Sequence, residues 1–147
     1  MDTHSKWVYY NTHYFGRSID EFVGILVSHS VKTLVDTRST PTSRRVEFSA
    51  QNLSRTLREH SICYVGAPQL GCPKTLRLRA WRSGDYGPLW DWYTKNVLTE
   101  EFWVFMRELV DNPKPFAFMC VENNPALCHR HLIAETLARR GCTVIEI

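Results

Sequence analysis

The sequence predicts an α/β fold: one domain with a mainly parallel, five-stranded, Rossmann-like sheet, helices on both faces and a helical insert over about residues 71–111, between the third and fourth strands. Three observations lead there. Short apolar or β-branched runs alternate with stretches of helical periodicity. Several of those runs stop at a charged, polar or turn-forming residue. The chain has 147 residues, 44% of them apolar, which suits a single domain with a real core.

The elements follow in order. "KWVYYNTH" is aromatic and β-branched and reads as the first strand. Ile19, Phe22, Val23 and Leu26 then recur at helical spacing, and Ser18 with Glu21 forms a capping box. "VKTLVDTR" is a buried-strand run ending at Asp36. "STPTSRRVEF" is a loop, and "SAQNLSRTLREH" is an amphipathic helix with a serine cap. "SICYVGAP" is the third strand. From Gly71 to Asp111 two or three helices are expected, broken at Gly84, Pro88 and near Thr99. "FAFMC" is the fourth strand. Asn124 as cap and Pro125 at the first helical position predict a helix running to about Arg139, with Gly141 as its stop. "TVIEI" closes the sheet.

Composition narrows the function. A net charge of +3 is too weak to argue for nucleic acid by itself and permits an anionic ligand. The five cysteines are odd in number and lack the spacing of a disulfide framework. No stretch approaches the roughly 20 apolar residues of a membrane span, and no leader pattern opens the chain. The expectation is a cytoplasmic protein with free thiols and no membrane partner.

In open α/β sheets, ligands gather beyond the carboxyl ends of the strands. Those ends carry His13, Asp36 with Arg38, the "APQLG" turn, and Cys120 with Glu122. Cys128 falls in the first turn of the expected last helix, where the dipole favours a thiolate, with His129 and Arg130 beside it. It reads as an activated nucleophile or as a small buried residue. Cys120 reads first as a core cysteine. The C-x7-C-H spacing of Cys120, Cys128 and His129 lacks the tight ligand pairs of most zinc sites, so no metal and no cofactor is expected. Alanine stands six residues after each of Cys120 and Cys128, which excludes the phosphatase-type loop, and there is no Walker A or G-x-G-x-x-G motif. Asp36 is a general base or the orienting partner of an arginine. Arg38 and Arg44, in a loop rich in serine and threonine, suit phosphate or carboxylate, whereas Arg45 reads as a solvated charge. Tyr86, Trp90, Trp92 and Tyr93 lie close together in the insert. Trp90 and Tyr93 share a helix face, so at least one of them is expected in the core.

Two long blocks, "LVDTRSTPTSRRVEFSAQNLSRTLREHSICYVGAPQLGCPK" and "FMCVENNPALCHRHLIAETLARRG", resemble the domain of unknown function 488 family. That family carries V-D-V-R-S-x-P-x-S-R, then F-S, Y-x-x-x-P-x-L-G, C-A-E and C-H-R, in the same order as here. By position, the resemblance implies a site drawn from Asp36, Arg38, Ser39, Ser43, Arg44, Cys120, Glu122, Cys128, His129 and Arg130. Pro41, Phe48, Ser49, Pro68, Leu70 and Gly71 also match the motifs. The chain departs from the pattern in its first turn, "NTHYFGRS", at Cys72, and at Val121 where alanine is usual. The resemblance implies no particular reaction.

The functional expectation is an enzyme acting on an anionic, phosphate-bearing substrate, with nucleotide and nucleic acid both admitted. Arg38, Arg44 and Arg130 would hold the anion, assisted by Ser39, Ser43 and the helix N-terminus. Cys128 would be the nucleophile or His129 the acid/base, and Asp36 or Glu122 would orient or deprotonate. Arg130 is expected to rest against Asp36 or Glu122. The alternatives are a non-catalytic module that binds nucleotide or nucleic acid, and a Cys/His metal site.

Overall fold

A computed structural model describes residues 7–122, 124 and 127–147. The strands are β1 (Val8–His13), β2 (Thr33–Asp36), β3 (Cys63–Gly66), β4 (Phe116–Cys120) and β5 (Thr143–Glu146). The helices are α1 (Ile19–Ser28), α2 (Ala50–Glu59), α3 (Lys74–Ser83), α4 (Gly87–Asn96), α5 (Glu100–Leu109) and α6 (Arg130–Arg139). The sheet is parallel throughout, in the order β3-β2-β4-β1-β5.

Every residue of β2 and β4 is buried, as in central strands covered on both faces. Leu34, Ala117 and Met119 face α1 and α2, where Phe22, Leu26, Leu53 and Leu57 are fully buried. Each such side chain contributes about 1.5–3 kcal/mol. Val35, Phe116 and Phe118 face the other way, onto α3–α6. The division follows from handedness. The chain leaves β1 and β2 toward one edge of the sheet and leaves β3 and β4 toward the other, so right-handed crossovers put their helices on opposite faces. The chain from β4 therefore departs on the face opposite to that taken by both its neighbours. That switch opens a crevice at Cys120.

The strand ends are tied together there. Cys120 is in register with His13. The Phe15 amide donates to the Val121 carbonyl at 3.1 Å. The Thr37 amide and hydroxyl both donate to the Met119 carbonyl at 3.0 Å.

Local chemistry agrees with the sequence at α1, where the Ser18 hydroxyl accepts from the Glu21 amide. At α2, Ser49 precedes the first turn, but its hydroxyl donates to the Val46 carbonyl instead. The last helix corrects the expectation more substantially. Pro125 lies outside the described residues, and α6 begins at Arg130 after His129. Ahead of it, the Glu122 carboxylate accepts from the Asn124 amide at 2.9 Å, and the Glu122 carbonyl accepts from Arg130 Nη2 at 2.7 Å. Cys128 thus stands just ahead of the helix. Lys6, the start of the expected first strand, also lies outside the described residues.

Candidate functional site

A cleft of about 780 Å³ opens between the carboxyl ends of β2 and β4 and the helical insert. Cys120, Cys128 and His129 form its floor. Arg38, Ser39 and Thr40 border it from the β2 loop, and Lys74, Arg77 and Trp81 from α3.

The β2 side is a fixed charged assembly. Arg38 Nε and Nη2 donate to the two carboxylate oxygens of Asp36 at 2.9 and 2.7 Å. The Arg38 amide adds a bond to Oδ1 at 3.1 Å, and the Tyr64 hydroxyl one to Oδ2 at 2.6 Å. Arg38 Nη1 donates to the Tyr14 hydroxyl at 3.3 Å. Burial works against the Arg38 cation, but the Asp36 bonds outweigh it and hold the guanidinium charged. Burial and the bond to Asp36 likewise push the Tyr64 phenol up. With its oxygens committed to four donors, Asp36 serves as the anchor of Arg38. Of the two, only Arg38 borders the cleft.

The floor is a thiol and imidazole cluster. The sulfurs of Cys120 and Cys128 stand 2.8 Å apart, and all five cysteines are free. Arg130 Nε donates to Cys128 Sγ at 3.4 Å. His129 Nε2 lies 2.9 Å from the Thr37 hydroxyl oxygen and 3.2 Å from the Thr37 carbonyl. That hydroxyl already spends its proton on Met119, so both Thr37 oxygens are acceptors and Nε2 carries the hydrogen. Nδ1 is left facing Cys128 Sγ, at 3.8 Å.

The pKa directions fit this geometry. Burial would raise the Cys128 thiol, but the S–H of Cys120 and the charge of Arg130 outweigh it and bring it below the usual value. Cys120 moves up, because its hydrogen bond to Cys128 and its burial both favour the thiol. Burial opposes the His129 cation, yet the surrounding thiols of Cys72 and Cys120 raise its pKa. Both directions favour transfer of a proton from Cys128 to His129.

Several of the expected partners prove different. Arg130 is completely buried and lies beneath the floor, off the cleft. Its partners are Cys128, the Glu122 main chain and, at 3.4 Å, the Glu146 carboxylate of β5, in place of the side chains of Asp36 or Glu122. Asn11, buried in β1, donates to the Arg130 carbonyl and pins the start of α6. Glu122 borders the cleft, but its carboxylate is engaged by the Asn124 amide. Ser39 borders the cleft, whereas Ser43 accepts from the Arg45 amide and Arg44 is exposed away from it. His13 sits beside Cys120 on the neighbouring strand and does not line the cleft. Burial first, then the nearby charges of Arg17 and Arg130, lower its pKa. Arg45 keeps 39% of its side chain exposed, with its guanidinium 4.5 Å from the centre of the Phe48 ring and paired to Glu47. Tyr93 is fully buried and donates to the Leu70 carbonyl at 2.8 Å, tying the insert to the end of β3.

Sequence reasoning missed Lys74, Arg77, Trp81, Tyr14 and Tyr64. The first three had a legible signal, since "KTLRLRAW" places Lys74, Arg77 and Trp81 on one helix face. The tyrosines had none, because Tyr64 reaches Asp36 only through strand pairing.

The family model described as "Domain of unknown function DUF488" matches residues 18–137. Comparison with curated proteins gives no match, and comparison with solved structures gives none. The family match spans most of the chain and includes both the charged assembly on β2 and the thiol floor, so the protein belongs to the DUF488 family.

Proposed function

We propose that the protein is an enzyme that binds an anionic, phosphate-bearing substrate in the cleft and attacks it with the Cys128 sulfur. The observation that carries this reading is Cys128 itself, which receives Arg130 Nε at 3.4 Å and the neighbouring thiol of Cys120 on the floor of a cleft walled by cations. Arg38, Lys74 and Arg77 supply positive charge, and Ser39 and Thr40 supply hydroxyls. The thiol proton passes to His129 Nδ1, which Thr37 holds in the accepting tautomer. The sulfur then bonds to the electrophilic centre beside the anion, and the leaving group departs with the bonding pair. The test is protection and turnover together. Inorganic phosphate and nucleoside monophosphates should slow alkylation of Cys128 by iodoacetamide, and the wild type, unlike Cys128→Ser, should turn over a phosphate-bearing substrate. Protection without turnover identifies a binding module instead. Absence of protection removes the reading.

One observation favours a second reading, a metal site. The ligating atoms of Cys120, Cys128 and His129 all lie within 4.8 Å of one another. The hydrogen bond from His129 to Thr37 is of the kind that orients metal-bound histidines. Two thiolates and an imidazole suit Zn²⁺, with the cleft side left for a fourth ligand. Elemental analysis of protein purified without added metal separates the readings. Stoichiometric zinc, with alkylation of Cys128 released only by a chelator, supports the metal.

A further inference from the structure

We infer that the polymer-binding surface of this protein is α3, and that the cleft takes one unstacked nucleotide of a single-stranded nucleic acid whose backbone continues across that helix. The inference rests on the proposed anionic substrate and narrows its class. Helix α3 carries Lys74, Arg77, Arg79 and Arg82, all exposed, and residues 72–84 contain no acidic side chain. Among the described residues, none of the four is paired with a carboxylate. Asp85, the nearest acid beyond them, caps the Gly87 amide.

The helix presents these cations in two rows. Lys74, Arg77, Leu78 and Trp81 line the cleft. Thr75, Leu78, Arg79 and Arg82 line an adjoining open groove of about 500 Å³. Leu78 belongs to both, so the cationic surface runs without interruption from the thiol floor, over α3, to the outer face. A mononucleotide needs only the first row. A continuous second row of guanidinium groups suits further phosphates of a chain.

Aromatic faces supply the other half of the argument. Trp81 is 71% exposed and Phe15 is 61% exposed, and both line the cleft. Large apolar rings held open beside cations are stacking platforms for bases. Those rings can stack only on bases that are not already paired in a duplex. An acidic peptide would satisfy the arginines and leave the rings uncovered.

The test measures fluorescence anisotropy of labelled single-stranded DNA and RNA oligonucleotides. Duplex DNA, a labelled nucleoside monophosphate and polyglutamate are the comparisons. The single strands should bind at least tenfold tighter than any comparison, with affinity falling steeply as salt rises. Arg79→Ala and Arg82→Ala lie outside the cleft. Each should lower the logarithmic salt slope by about 0.7 and leave phosphate protection of Cys128 unchanged. Trp81→Ala should weaken single-strand binding by about tenfold. Equal binding of duplex or polyglutamate, or unchanged affinity in Arg79→Ala and Arg82→Ala, overturns the inference. If phosphate still protects Cys128 in that case, the anionic-substrate reading stands and only its extension to a polymer fails.

Discussion

Arg130 and Cys128 form a unit in which a completely buried guanidinium donates through Nε to a sulfur 3.4 Å away on the floor of a cleft that the arginine does not enter. Arg130 is therefore a positioning residue. It lowers the pKa of the thiol and ties the start of α6 to the Glu122 carbonyl.

Arg130→Lys tests that role. Lysine keeps a positive charge and loses the planar fork that reaches Cys128, Glu122 and Glu146 together. A hydrogen bond to a charged group contributes about 1.5–3 kcal/mol, so alkylation of Cys128 at neutral pH should slow by about tenfold or more. Inorganic phosphate should still protect the thiol, because Arg38, Lys74 and Arg77 are untouched. Arg130→Ala should also lower stability in urea, by on the order of 3 kcal/mol.

The Asp36–Arg38 pair is buried on both sides. Asp36→Asn leaves the guanidinium uncompensated and should cost about 3–5 kcal/mol in urea denaturation. Tyr64→Phe removes one donor to the same carboxylate and should cost about 1.5 kcal/mol. Were Asp36 a general base, Asp36→Asn would cut reactivity with little loss of stability.

Gly71 packs against the main chain of the loop that carries Ser39. A methyl group added there would stand 2.6 Å from Ser39 Cα and 2.8 Å from its Cβ. Gly71→Ala should destabilise by about 1–3 kcal/mol and, by moving Ser39, weaken phosphate protection of Cys128.

His13 gives the stability curve an acid limb. Its folded pKa lies below its ordinary value, through burial and then Arg17 and Arg130. Its contribution is therefore present above the unfolded pKa of about 6.5 and is lost as pH falls through the folded value. His13→Gln should flatten that limb by at most one proton, or about 1.4 kcal/mol per pH unit. Urea denaturation between pH 7 and 4.5 checks it, and an unchanged limb assigns the loss to other groups.

The strands and helices were legible because their periodicities are local: β2 and β4 read as unbroken apolar runs, and α1 as a capped amphipathic stretch. The cluster of Cys128, His129 and Arg130 was legible as three adjacent residues. The start of α6 at Arg130 was not, because the bonds that Arg130 and Asn124 make to Glu122 join residues that no local periodicity marks as partners. Nor were the true partners legible. Tyr64 meets Asp36 across strands 28 residues apart in sequence, and Arg130 meets Glu146 across 16. The order β3-β2-β4-β1-β5 decides which ends are neighbours, and alternation alone does not specify it.

The central claim is that the Cys128 thiol ionises below its ordinary value. Its test is the pH dependence of iodoacetamide alkylation, resolved for each cysteine by peptide mass spectrometry. A thiol whose folded pKa is depressed reacts fully above that value and loses reactivity as pH falls through it. Cys128 should titrate below the ordinary midpoint of about 8.5, and Cys120 above it. A Cys128 midpoint at or above 8.5, or a Cys120 that reacts first, contradicts the account.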